Sequence, residues 1–273
     1  PLQPTNYVSD YSYYSVYEKD LLSLVNGGQR WYGELFDTDL SQTFTFNVPN
    51  INSNSPATFE VSLASSASNS NGTAQTYSIG NTQLFSDVLP TFSDYGRSTR
   101  SMSYNTPSPS MGLTISITRN SPDVLTYLDK ITLNARRALS FVGNQFNFSD
   151  LNSIGSGNVT EFTISNFPVA NGFVWEVTDR HQPSIVDGTA AGNNYSFRAE
   201  TEQLRNFVVS NGNSYFTPTF IGTVTQQNLH ALAQVDYLIV THPSFLGQAN
   251  RLADLHSSDG LTVHVVTTEQ IFN

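Results

Sequence analysis

From Phe44 to Ala135, apolar residues fall on every second position of one short segment after another. In "TFTFNV" they are Phe44, Phe46 and Val48, and in "TFEVSLAS" they are Phe59, Val61 and Leu63. In "GLTISIT" they are Leu113, Ile115 and Ile117, and in "DKITLNA" they are Ile131, Leu133 and Ala135. A period of two puts each set on one face of a strand. A sheet with one apolar face needs a second sheet to cover it. The intervening "NSNSP", "SSASNSNG" and "NTPSPS" are too polar to bury surface and read as loops. Strands at this spacing, with no helix between them, predict a mainly β protein. Its first module is a jelly-roll-like β-sandwich over residues 32–139, preceded by an N-terminal segment, 1–31.

A second β group follows in "EFTISNF" (Phe162, Ile164, Phe167), "GFVWEVTD" (Phe173, Trp175, Val177) and "RNFVVS". It predicts a smaller β domain over residues 140–234. The two groups could equally form one continuous structure, because nothing in the pattern marks a boundary.

The period changes at "DYLIVTHPSF". Tyr237 to Val240 is apolar on both faces, as in a strand covered on each side. Phe245, Ala249, Leu252 and Leu255 then recur at helical spacing. Ser244 is placed to cap that helix and Gly260 to end it. Leu261, Val263 and Val265 alternate as a second strand, and Thr267 with Gln270 has the form of a capping box. Residues 235–273 therefore read as the first βαβ unit of an α/β domain. Two parallel strands and a helix do not make an independent sheet. The expectation is that the rest of the domain lies beyond Asn273, and that a chain opening on Pro1 without Met is a processed or excised piece.

Composition narrows the function classes. Charged residues make up 12% of the chain, about half the usual share. The formal net charge is −10, with only two lysines, Lys19 and Lys130. No basic patch can neutralise phosphates, which argues against nucleic acid as a partner. No run approaches the ~20 apolar residues of a membrane helix. There is no cysteine, hence no disulfide, no thiolate ligand and no Cys nucleophile within this chain. The Asn, Ser, Thr and Tyr bias with little Lys fits an exported bacterial surface protein.

Few residues offer chemistry. His242 stands where α/β proteins place sites, at the carboxyl end of a parallel strand, but it reads better as part of a strand-to-helix turn. Asp37 and Asp39 form a D-x-D pair that could take calcium, although no Gly or late Glu completes an ion-binding loop. No other cofactor is expected. Trp31 and Tyr32, with the tyrosines of "YVSDYSYYSVY", could stack on sugar rings, and "YLDKITL" resembles the last strand of jelly-roll carbohydrate-binding modules. The plainer reading is that these rings pack the N-terminal segment against the sandwich.

The stretch "VDYLIVTHPSFLGQANRLADLHSSDGLTVHVVTTEQIFN" resembles the opening of a gingipain-type cysteine peptidase domain, with a "THP" after its first strand and an "EQI" helix start after its second. Upstream, "RWYGELFD", "DKITLNARR", "FVGNQF" and "QQNLHAL" are similar, in order, to stretches of PorU-like sortases of the type IX secretion system of Bacteroidetes. The resemblance implies a parent enzyme with a caspase-like domain and a His–Cys dyad. Such an enzyme works on the bacterial outer-membrane surface and removes C-terminal signal domains from exported cargo. Both dyad residues would lie beyond Asn273, so no catalytic residue is assigned here. This chain is then a non-catalytic scaffold or docking region. The implied partners are secretion-system outer-membrane components or a cargo protein. The alternative is a carbohydrate-binding or adhesive module, with a surface glycan as its partner, unrelated to proteolysis.

Overall fold

The alternating segments form strands, and many of them pair with strands distant in sequence. The computed structural model of the protein describes residues 3–24, 30–66, 73–89, 95–119, 121–213, 215, 217–224 and 226–272; most of the "SSASNSNG" loop, 67–72, lies outside them. The chain divides into two compact units, residues 1–215 and 216–273.

The first unit opens with β1 (Asn6–Val8) and β2 (Asp10–Glu18), followed by the short β3 (Leu35–Phe36). Then come β4 (Ser41–Asn47), β5 (Ala57–Ser65), β6 (Ala74–Ile79) and β7 (Thr82–Val88). β8 (Gly96–Tyr104), β9 (Ser110–Thr118) and the long β10 (Thr126–Ala138) complete the module. One sheet has the order β2-β10-β5-β8, with β3 beside β10, and the facing sheet has the order β4-β9-β6-β7. That pair of orders, reached by a chain that repeatedly crosses between the sheets, is the double Greek key of a jelly roll. Between the sheets lie the alternating residues read from the sequence. Phe59, Val61, Leu63 and Leu133 come from one sheet and Phe44, Leu113 and Ile115 from the other; of these Phe44 keeps 5% of its surface and the rest none.

The second module is also a pair of sheets around one core, smaller and with a different strand order. Its strands are β11 (Gln145–Phe148), β12 (Val159–Ile164), β13 (Phe173–Glu176), β14 (Ser184–Ile185), β15 (Gly188–Ala191), β16 (Asn194–Glu200) and β17 (Phe207–Ser210). The sheets are β1-β12-β16-β15 and β11-β17-β13-β14. Their core is largely aromatic: Phe148 stacks on Phe207 at 5.1 Å and Phe162 on Phe197 at 5.3 Å. Aromatic rings bring the most apolar area per residue, which suits a core made by few short strands.

Residues 6–18 thus serve two sandwiches. β1 runs parallel to β12 in the second, with Asn6 opposite Thr160. β2 runs antiparallel to β10 in the first, with Tyr17 opposite Ile131. At the crossover Arg136 binds the carboxylates of Asp10 and Asp150 and donates to Ser12 Oγ at 3.0 Å. Asn52 Nδ2 donates to Asp10 Oδ2 at 2.8 Å. The Asp150 side chain is fully buried, and its Oδ2 has no hydrogen-bond donor among the described residues.

The second unit contains β18 (Tyr237–Thr241), a 3-10 turn (Pro243–Phe245), α1 (Leu246–Ser258), β19 (Val263–Thr267) and α2 (Thr268–Phe272). β18 and β19 are parallel. Asp236 fixes their start: its Oδ2 accepts from Thr262 N–H at 2.9 Å and Thr262 Oγ1 at 2.6 Å. The expected cap differs, because Pro243 first turns the chain into a 3-10 helix. His242 Nδ1 accepts from Ser244 N–H at 3.2 Å, and Ser244 itself caps nothing. The other end follows the sequence. Gly260 has φ +88°, Leu261 N–H bonds His256 O at 3.2 Å and Gly260 N–H bonds Ser257 O at 3.0 Å, a Schellman motif. Thr267 N–H bonds Gln270 Oε1 at 2.9 Å and Gln270 N–H bonds Thr267 Oγ1 at 3.3 Å, closing the capping box.

Arg136→Ala should destabilise the first unit by about 3–5 kcal/mol, since it strands a buried carboxylate; a urea melt followed by tryptophan fluorescence measures this, and an unchanged midpoint would contradict the role given to Arg136. Burial raises the Asp10 pKa, but the hydrogen bonds from Arg136 and Asn52 and the charge of Arg136 outweigh it and leave it below the usual value. A carboxyl lowered on folding adds stability above its unfolded pKa of about 3.9 and loses it as pH falls through the folded value. Asp10→Asn should therefore flatten the stability profile below about pH 4.

Candidate functional site

Beside the crossover of the two sandwiches lies a cavity of about 770 Å³. β2 supplies Tyr11 to Tyr14, β11 supplies Gln145 to Phe148, and the turn after β13 supplies Thr178 and Arg180. Alternation on β10 explains what reaches it. Arg136 and Arg137 are neighbours, so they point to opposite faces: Arg136 to the buried carboxylates, Arg137 to this cavity. Arg137 is 8% exposed. Its Nε donates to Pro49 O at 2.7 Å, and its guanidinium lies 5.9 Å from the Tyr11 ring and 5.7 Å from the Tyr13 ring. Tyr11 in turn packs on Phe148 at 5.7 Å. Burial pushes the Tyr11 hydroxyl pKa up, against the opposing pull of Arg137. The arrangement holds one cation rigidly between aromatic faces at the wall of an open cavity.

The residues singled out in the sequence lie elsewhere. Tyr32 is buried with Ala64 and Tyr127 in a small cluster, and its main chain bridges to Leu22. Trp31 next to it is 46% exposed and lines a cavity of about 280 Å³ with Asp20, Arg30, Arg97 and Asp129. The two rings therefore face different surroundings. Asp37 Oδ1 accepts from Arg119 at 2.7 Å. The main-chain oxygen of Asp39 accepts from Gln42 Nε2 at 3.2 Å. Among the described residues no group of three or more His, Asp or Glu is placed to hold a metal. Within β2 the tyrosines split by the period of two: Tyr11, Tyr13 and Tyr17 pack on the cores and Tyr14 is exposed, while Tyr7, in β1, is exposed outside that period. Arg137 and Arg180 were not legible as site residues. The available signal was the doublet "RR" at the end of a strand in a chain with few cations.

Comparison with known proteins decides the fold. The whole chain superposes on the crystal structure of dimeric latent PorU from Porphyromonas gingivalis, with a TM-score of 0.84 and 23% identity. The chain has the fold of part of PorU. It spans 27% of that structure's length. Residues 230–273 match the model of peptidase family C25. No curated protein matches the chain. The CBM36-1 domain of a multidomain xylanase from the hindgut metagenome of Trinervitermes trinervoides aligns over 44% of this chain and 96% of its own, at 11% identity and a TM-score of 0.30. That likeness is too low to carry an argument. The resemblance to PorU-like sortases read from the sequence thus holds in fold over the full chain, and its last residues, 230–273, match the C25 family model.

Tyr32→Ala should cost about 3 kcal/mol, as expected for deleting a buried ring, whereas Trp31→Ala should change stability by less than about 1 kcal/mol. Thermal melts of both variants check this; equal losses would mean that the two rings share one environment.

Proposed function

We propose that this chain is the N-terminal β region of a cell-surface, sortase-like cysteine peptidase of the type IX secretion system, and that it enters the catalytic domain at residue 235. The β modules act as a scaffold and docking region. The chemistry belongs to a His–Cys dyad further along the parent protein, which removes C-terminal signal domains from exported cargo. The observation that carries this reading is the state of the parallel pair within 230–273, the stretch matched by peptidase family C25. Parallel sheets are normally covered on both faces. Here α1 packs on the pair, yet Leu238 and Val240 remain 53% and 52% exposed. On α1 itself Leu255 remains 58% exposed. Surface of this kind is what further strands and helices of an α/β domain would cover.

The purified 273-residue chain should hydrolyse no peptide, while the longer parent should, and a thiol alkylating agent should abolish the parent's activity. Deleting the β region from the parent should leave cargo with its C-terminal signal domain uncleaved. Alkylation-resistant hydrolysis by the 273-residue chain, or a parent lacking a downstream His and Cys, would overturn the proposal.

A further inference from the structure

The cavity at the crossover differs in charge from the rest of the chain. The sequence carries 22 acidic and 12 basic side chains. Arg137 and Arg180 nevertheless line this cavity, and no carboxylate does. Arg97, Arg100, Arg119, Arg136, Arg198 and Arg205 each pair with a carboxylate. Arg30, Arg137, Arg180 and Arg251 have no such partner among the described residues, and of these Arg137 and Arg180 line this cavity. Of the carboxylates beside the lining residues, Asp10 and Asp150 are both engaged by Arg136, while Asp179, next to Arg180, accepts from His181 N–H at 2.9 Å and does not line the cavity. Arginine keeps its proton even when buried, and a buried cation without a counter-charge is costly. Arg137 is fixed by Pro49, by two tyrosine rings and by a hydrogen bond with Tyr11, and its planar guanidinium has the fork geometry that matches a carboxylate.

The walls specify what carries the anion. Tyr11 to Tyr14 are consecutive in β2, and Gln145 to Phe148 are the whole of β11. Successive strand residues point to opposite faces, so a cavity touching all of them runs along the strand edges. Both strands are outermost in their sheets: β2 pairs with β10 and β11 with β17, and no further strand among the described residues pairs with the other side of either. A free edge presents unpaired N–H and C=O groups that an extended peptide can join. An acidic saccharide could use the arginines and hydrogen-bond the edges as well, but a peptide main chain matches the regular spacing of N–H and C=O groups along a strand. We infer that this cavity binds an extended acidic peptide, its main chain along the edge of β2 or β11 and a carboxylate on Arg137 and Arg180. The inference gives a ligand class to the docking role proposed above.

Fluorescence anisotropy with the 273-residue chain tests it, using a fluorescein-labelled short peptide of alternating Thr and Glu, the same peptide with Gln for Glu, and labelled oligogalacturonate. The Glu peptide should bind, and the Gln peptide at least about tenfold more weakly, the equivalent of one charge-assisted contact. Arg180→Gln, an exposed change that leaves the melting curve in place, should weaken the Glu peptide by a similar factor. Binding should slow amide exchange at Tyr11–Tyr14 or Gln145–Phe148. Equal binding of both peptides, no protection of either strand, or binding of oligogalacturonate in preference to peptide would each overturn the inference. Peptide binding by a chain whose parent has no peptidase activity would sink the proposed function and leave this inference standing.

Discussion

One guanidinium ties the two sandwiches of the first unit to each other. Arg136 leaves β10 at the point where the chain passes from one sandwich to the next, and gathers Asp10 from β2 and Asp150 from beyond β11. Its hydrogen bonds to the main-chain oxygen of Asp10, at 2.8 Å, and to Ser12 fix the position at which β2 starts. From there the register of β2 against β10 follows, with Tyr13 opposite Ala135 and Tyr17 opposite Ile131. The register decides that Tyr11, Tyr13 and Tyr17 pack on the cores and Tyr14 faces outward. A buried ion pair of this kind contributes little net stability over a hydrophobic replacement. What it contributes here is position: it sets two sheets and the walls of a cavity in one stroke.

The low charge content has a structural counterpart. Strand surfaces that would usually alternate Lys and Glu are lined with hydroxyl pairs instead. Thr43 faces Thr114 at 2.8 Å, Ser41 faces Ser116 at 2.8 Å, Thr76 faces Ser86 at 2.9 Å and Thr163 faces Ser196 at 3.0 Å. Cross-strand Thr and Ser pairs are modest stabilisers of a sheet and tie few long side chains down. The carboxylates that do sit near the sheets are largely matched to arginines. Asp129 lies at the bulge of β10 against β5 and takes Arg97 at 2.8 Å. Against this background a cavity lined by two arginines and no carboxylate stands out.

What could be read in the sequence was what is decided locally. The faces of β4, β5, β9 and β10 followed from alternation, the Schellman end of α1 from Gly260, and the capping box from Thr267 and Gln270. Each involves residues within a few positions of one another. The cap at Ser244 failed for a local reason as well, because Pro243 set a 3-10 turn before the helix. What the pattern left open was long-range. Nothing near Asn6 or Tyr11 says that one will pair with Thr160 and the other with Arg137. The division between the two β groups was open for the same reason, since the first strands belong to both. The crossover cavity was equally hidden, being assembled from β2, β11 and a turn near residue 180.

The double use of residues 6–18 also governs how this chain can acquire its structure. β1 must wait for residues more than 150 positions later before it has a partner, as the hydrogen bond from Thr5 to Val159 shows. β2 must wait for β10, and Arg136 and Asp10 are 126 positions apart. Contacts of such sequence separation close late and fold slowly. A nascent chain emerging N-terminus first therefore carries a tyrosine-rich strand without its partner until β10 has been made. Neither sandwich can therefore close early: the first waits for β10, which ends at Ala138, and the second for β17, which ends at Ser210.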